Sequence, residues 1–387
     1  MSDVQLLFLV LAVLYAWECA CWVTRGTVVF RSWLGRAWHS SPPSTLLGNQ
    51  RGGFTFAHPL PPLGALFTAE TFPLALSPNA VLTESAGGVT SGARSGQDET
   101  CFPWERIERV EADGRKLLVN DALLLKAASP MMAAHLAQLL RKLKQAKAVE
   151  RESLLRHALR EQVDISRLET RWREFRDSTC TLRWVTNALF AYLFVLAPAV
   201  IWRLGFQSSW LPLLVCLLGL TLTTAIVFHR AHKVLYPTAE DERFTHFLII
   251  LLSPATAIRA NDILSRPLLE NCHPLALAKR FCSPRQFRLL AENFLRELHY
   301  SAPNRRESTG PLAAETAQYW RMALQKDLEQ FLKVNGLDPA QLLQPPPPAD
   351  ATSLAYCPRC LQQFSTREGK CEDCGGLALL PLSGHPP

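Results

Sequence analysis

Two apolar runs, residues 184–202 and 210–228, are separated only by the seven residues RLGFQSS. At ~1.5 Å per residue, each is long enough to cross most of a ~30 Å hydrocarbon core. This tandem restricts the fold more than any other feature of the chain, because soluble cores seldom hold two adjacent apolar helices of such length. It reads as a membrane hairpin. Trp184, Trp202 and Trp210 fall at or near three of its four borders, where amphipathic rings favour the head-group layer. Pro198 and Pro212 lie near its outer ends, where a missing amide donor costs least.

A third run, residues 4–23, is almost wholly apolar and reads as an uncleaved first span. No Lys or Arg precedes it, and bulky Trp22 and Val23 stand where a signal peptide would want small residues. Glu18, near its end, reads as a hydrated interfacial carboxylate. The segment 244–258, FTHFLIILLSPATAI, is short and contains Ser253-Pro254, leaving re-entrant, interfacial and fourth-span readings open. Charge placement favours three spans. Arg25, Arg31 and Arg36 follow the first, Arg173, Arg176 and Arg183 precede the second, and Arg230 and Lys233 follow the third. That puts the N-terminus outside a cell (inner) membrane and the central domain and C-terminus in the cytoplasm. The net charge of +7 is scattered, so anionic lipid head groups are a better partner for it than nucleic acid.

Between residues 24 and 96 the chain is rich in Gly, Pro, Ser and Thr and reads as turns and a flexible loop around short strands at 72–76 and 80–83. Further strands follow at 106–112 and 116–120, joined by Asp113-Gly114, a hairpin signal. From Pro130 the pattern turns helical, with Leu136, Leu139, Leu140 and Leu143 on one face. On Trp104, Ile107, Val110, Asp113, Gly114 and Leu117, residues 70–147 resemble the C-terminal half of a bacterial PH-like domain, a small β-sandwich closed by a helix. The resemblance implies that Arg106, Arg109, Arg115 and Lys116 face lipid phosphates; the residues by themselves read as a solvated basic hairpin.

One charged helix is expected over 149–176, connecting to the second span, with Leu155, Ala158, Ile165, Leu168, Trp172 and Phe175 near a 3–4 spacing. Ser283, Pro284 and Gln286 form a capping box opening a helix that carries Phe287, Leu290, Ala291, Phe294 and Leu298 on one face. A last helix runs over about 313–334.

Residues 344–351, QPPPPADA, read as an extended linker. Beyond it stand Cys357, Cys360, Cys371 and Cys374, two CxxC pairs with ten residues between them. Each CxxC turn aims two sulfurs at one point, and two turns supply the tetrahedral thiolate set that structural zinc takes. A rubredoxin-like iron site and two redox disulfides are the alternatives. Residues 357–374 resemble a zinc ribbon, which implies Zn2+ in a structural role. The charges around it alternate in sign, favouring a protein partner over nucleic acid. The remaining seven of the eleven cysteines are dispersed and read as reduced thiols.

No HExxH, GxSxG, P-loop or GxGxxG occurs, so the enzyme reading is the weaker one. Its best residues are His229 and His232, an i, i+3 pair that could hold a second metal, with Asp241 and His246 nearby. The expectation is a multi-domain α+β membrane protein with three transmembrane helices. In order it has a first span (4–23), a small β-rich domain (48–148) that includes the PH-like resemblance, and a connecting helix (149–180). The hairpin (184–202, 210–228) and the short apolar segment (244–258) follow. Cytoplasmic helices (259–340), the linker (344–351) and the ribbon (352–382) complete it. The expected function is that of a membrane-tethered scaffold or regulatory binding protein.

Overall fold

The computed structural model describes residues 28–31, 36–39, 54–58, 65–69, 74–83, 100–127, 129–237, 239–300 and 310–382. These are a mixture of helix and strand, mostly helical, with small sheets. They divide into two compact units. The expected first span 4–23, with Glu18, lies outside the described residues.

The first unit contains residues 166–270 and four short strands, β1 Val28–Arg31, β2 Arg36–His39, β3 Phe54–His58 and β4 Ala65–Ala69. These form one sheet in the order β2-β1-β3-β4, in a region whose Gly and Pro content reads as turns. Two helices of this unit, Cys180–Leu204 and Ser209–Leu235, are long and apolar enough to cross a membrane, with mean hydropathies of 1.8 and 2.4. Only 22% of the most apolar stretch of each is buried, whereas a soluble core helix is mostly covered. Trp184 and Trp202, 73% and 85% exposed, bracket the first of them.

The first helix widens at Tyr192–Leu196 into a π turn, where the amide of Ala197 reaches back to the carbonyl of Tyr192. Pro198 follows, and its ring and missing donor account for the irregularity. The reversal passes through Gly205 at φ +78° and ψ 158°, an essentially glycine-only region where a Cβ would cost of order 1–3 kcal/mol.

After Leu235 the chain turns back into Glu240–Leu252. That helix stops at Ser253, whose side chain accepts the amide of Thr256 at 3.2 Å and starts Pro254–Ile258. The expected segment 244–258 is therefore two helices. The longer has 13 residues, or ~20 Å, too short for a ~30 Å core.

The second unit contains residues 74–165 and 271–382. Strands β5 Ala75–Leu76, β6 Ala80–Thr83 and β7 Thr100–Pro103 form one antiparallel sheet, and β8 Val110–Asp113, β9 Lys116–Val119 and β10 Ala122–Lys126 form another. The strand β10 follows a two-residue turn in which Asn120 and Asp121 both have positive φ, 49° and 65°, the type I′ hairpin turn. The Asn120 side chain secures it by accepting the amides of Glu108 and Arg109 at 2.8 and 3.0 Å. The amphipathic helix Pro130–Gln145, capped by Ser129, closes the sheets. Its Leu136, Leu140 and Leu143 join Trp104, Ile107, Leu117 and Val119 in one core.

The expected helix 149–176 is two, Ala148–Gln162 and Ile165–Ser178. The break falls where the carbonyl of Gln162 accepts the amide of His273 at 2.8 Å. Helices Pro274–Phe281, Pro284–His299 and Pro311–Val334 follow, the second carrying the Ser283–Gln286 capping box. Trp320 of the third enters the same core as the strands.

His273 is buried against Phe294 and caps its helix by accepting the amide of Leu275 on Nδ1 at 3.2 Å. Burial lowers its pKa to about 3. The folded state thus resists a proton that the unfolded chain takes near pH ~6.5. Stability is full above that value and falls as pH drops toward about 3, by roughly 4 to 5 kcal/mol over the interval. His273→Asn keeps a side-chain acceptor and removes the titration. Its denaturation midpoint should lose part of the wild-type decline between about pH 6.5 and 4; an unaltered decline would remove His273 as its source.

Candidate metal centre

The C-terminal module is built from five two-residue strands, β11 Ala355–Tyr356, β12 Gln363–Phe364, β13 Lys370–Cys371, β14 Leu377–Ala378 and β15 Leu380–Pro381. They make a three-stranded sheet, β12-β11-β15, and a two-stranded one, β13-β14. Each carries one CxxC turn. In the first, the amide of Leu361 bonds the carbonyl of Cys357 at 2.9 Å, and in the second the amide of Gly376 bonds that of Cys371 at 2.9 Å. Both turns close through a residue of positive φ, Leu361 at 63° and Gly375 at 75°. Leu361 bears a backbone cost there that Gly375 avoids.

The two turns face each other. One ligand atom from each of Cys357, Cys360, Cys371 and Cys374 lies within 4.8 Å of all the others, and Cys360 Sγ is 3.7 Å from Cys371 Sγ. A Zn–S bond of ~2.3 Å in a tetrahedron sets S···S edges of roughly 3.8 Å, so the set fits a four-thiolate metal. A disulfide would bring sulfurs to ~2.05 Å, and none of the described cysteines is in one. Cys357, Cys371 and Cys374 are buried and Cys360 is the most exposed of the four.

The thiols are unequal. Burial opposes ionisation of Cys357, but the amides of Cys360 and Arg359 donate to its sulfur and hold it below the usual thiol value. Burial pushes Cys371 up to about 11 and Cys374 up as well. A cation entering here displaces protons, so its affinity falls on acidification.

The module is tied to the helices of its own unit. Arg296, on Pro284–His299 and only 1% exposed, donates to the carbonyls of Pro358, Leu342 and Gln344 at 3.1, 3.0 and 2.6 Å. Its Nε meets Glu292 at 3.1 Å. One guanidinium thus spans the first CxxC turn and the start of the proline linker. Arg359, inside that turn, pairs with Glu297 at 3.1 Å. Gln363 holds the linker's other end, accepting the amide of Ala349 and donating to Pro347 O, both at 2.8 Å. The linker, expected to set the module apart, is fastened along its length.

The other candidates do not assemble. His232 is buried and lies beside His246, ring centroids 6.2 Å apart, whereas His229 meets Phe247 edge-on at 5.9 Å. The i, i+3 pair therefore faces different neighbours. Among the described residues, the four cysteines are the only group of three or more His, Cys, Asp or Glu within ligand reach. Arg109 is paired with Glu111 and Asp121 at 2.8 and 3.5 Å, and Arg115 donates to the carbonyl of Ala127 at 3.2 Å. Arg106 and Lys116 are exposed. Arg109 precedes β8 and Lys116 pairs with Asp113 at its far end, roughly 13 Å along the strand. Arg296 had no signal as a site residue in the sequence.

Comparison with known families, with curated proteins and with solved structures finds no match for this chain, and the likeness of residues 70–147 to a PH-like domain gains no support from it.

Proposed function

We propose that the chain is a multi-pass membrane protein in which the hairpin anchors a soluble body, and that the four cysteines hold a structural Zn2+. The body acts as a membrane-tethered scaffold or regulator, and the zinc ribbon offers its outer loop to a protein partner. Two observations carry this reading: a closed set of four cysteine sulfurs that leaves no open coordination position, and, in the other unit, two largely uncovered apolar helices. Four protein ligands leave nothing for a substrate to displace, which favours a structural metal over a catalytic one.

The first CxxC turn faces the body through Pro358 and Arg359, whereas residues 365–370 are exposed or half-exposed. That loop and the second turn, with Arg367, Glu368, Lys370, Glu372 and Asp373, form the face left for a partner. A cross-linked pull-down from native membranes would compare the intact chain with Arg367→Ala/Lys370→Ala/Glu372→Ala, none of which is a ligand. Loss of a specific partner with one metal equivalent retained is the expected result. An unchanged partner list would count against docking through this face.

A further inference from the structure

The stretch before the hairpin and the stretch after it belong to one packed body. Besides the bond from His273 to Gln162, the hydroxyls of Ser77 and Thr316 lie 3.0 Å apart and Arg160 meets Asp327 at 3.5 Å. Segments in direct contact lie on the same side of a bilayer. Residues 163–272 must then cross it an even number of times. The hairpin accounts for two crossings, which leaves no place for residues 244–258 as a third. Yet Glu240–Leu252 presents an apolar face that a helix in water would not leave open. Phe244 and Leu252 are 61% and 81% exposed, and Leu248 and Ile249 are exposed between them, at i, i+4, i+5 and i+8.

The depth of this helix follows from its neighbours. Only residues 236–239 connect it to Phe206–Leu235, so the two run antiparallel. His246 meets Phe228 and His232 at 6.1 and 6.2 Å, and Phe247 meets His229 at 5.9 Å. Exposed Arg230 and Lys233 mark the membrane border at this level. From Phe247 to Leu252 the helix advances five residues, about 7 to 8 Å, alongside the apolar body of the long helix. Glu240, Asp241 and Glu242 stay at the aqueous end. The chain then breaks at Ser253, whose side chain caps the next turn, and at Pro254, which has no amide to satisfy. Asn261 anchors the return by donating to Thr186 at 3.0 Å.

We propose that residues 240–258 form a re-entrant element that dips about one and a half turns into the leaflet on the side of Arg230 and Lys233 and returns, with Leu248, Ile249 and Leu252 against lipid acyl chains and Phe244 at the head-group border. This depth is that of amphipathic segments buried ~5–10 Å at the head-group and acyl boundary. The proposal rests on the reading of the hairpin, whose own apolar helices are largely uncovered, as membrane-spanning.

The test is site-specific photo-cross-linking of the full chain in phosphatidylcholine–phosphatidylglycerol nanodiscs. A benzophenone amino acid would replace Leu218, Asp241, Leu248 or Leu252 in turn, with adducts identified by mass spectrometry. Lipid adducts at 218, 248 and 252 and none at 241 are expected. Lipid adducts at 218 without any at 248 or 252 would overturn the re-entrant element and leave the hairpin intact. Adducts from 252 onto residues 4–23 would overturn it in favour of a protein cover, and no lipid adduct even at 218 would overturn the membrane reading itself.

Discussion

Removing the metal is expected to unfold residues 352–382 while the strand and helix core around Trp104 persists. The module's five strands are two residues each, and its core consists of Cys357, Cys371 and Cys374 with Phe364, Leu377 and Leu379 against them. Apolar burial on that scale stabilises little. In small zinc peptides the metal contributes ~10–16 kcal/mol at neutral pH, so the fold here depends on it. A strong chelator, or Cys357→Ser with Cys371→Ser, should abolish hydrogen-exchange protection at Leu361 and Gly376, whose amides close the two CxxC turns. Metal analysis should give one zinc per chain in the untreated protein and none after treatment. Retained protection at both amides in the metal-free protein would show that the thiols and strands suffice alone. One iron per chain would assign the site to the rubredoxin-like alternative.

The cysteine cluster is legible in the sequence because its information is local: two CxxC pairs at a fixed spacing state both ligand type and geometry. The hairpin was legible for a similar reason, since length and hydropathy are properties of a run and need no knowledge of what packs on it. The strand Ala122–Lys126 carries a usable signal of its own, Asn120-Asp121, which the hairpin reading of Asp113-Gly114 leaves unused. Other features depended on partners distant in sequence. The periodicity of 149–176 continues through Val163-Asp164, and the break there coincides with the bond from Gln162 to His273. Likewise, the apolar stripe of Pro284–His299 predicts a buried face of Phe287, Leu290 and Phe294. It says nothing of Arg296, which is covered by the linker and the first CxxC turn.

Arg296→Ala is expected to release the ribbon from its helices without emptying the metal site. The substitution removes the donor shared by the carbonyls of Pro358, Leu342 and Gln344 and leaves Glu292 without its ion pair. Each carbonyl that stays buried without a donor costs about 1–3 kcal/mol, and Glu292, 24% exposed, is left to water. Arg296→Lys should recover only part of this, because one ammonium cannot reproduce a planar fork that reaches carbonyls at residues 342, 344 and 358. Arg359, 16% exposed where Arg296 is 1% exposed, is the less deeply buried of the two cations, so Arg359→Ala serves as the milder control. Limited proteolysis within 339–356 and hydrogen exchange over 284–299 should rise strongly in Arg296→Ala, modestly in Arg296→Lys and little in Arg359→Ala. All three should retain one metal equivalent, because no ligand is touched. If Arg296→Ala matched wild type in both readouts, the guanidinium would not be what fastens the module; if it lost its metal, the ribbon would need the helices in order to fold, and the two would be a single cooperative unit.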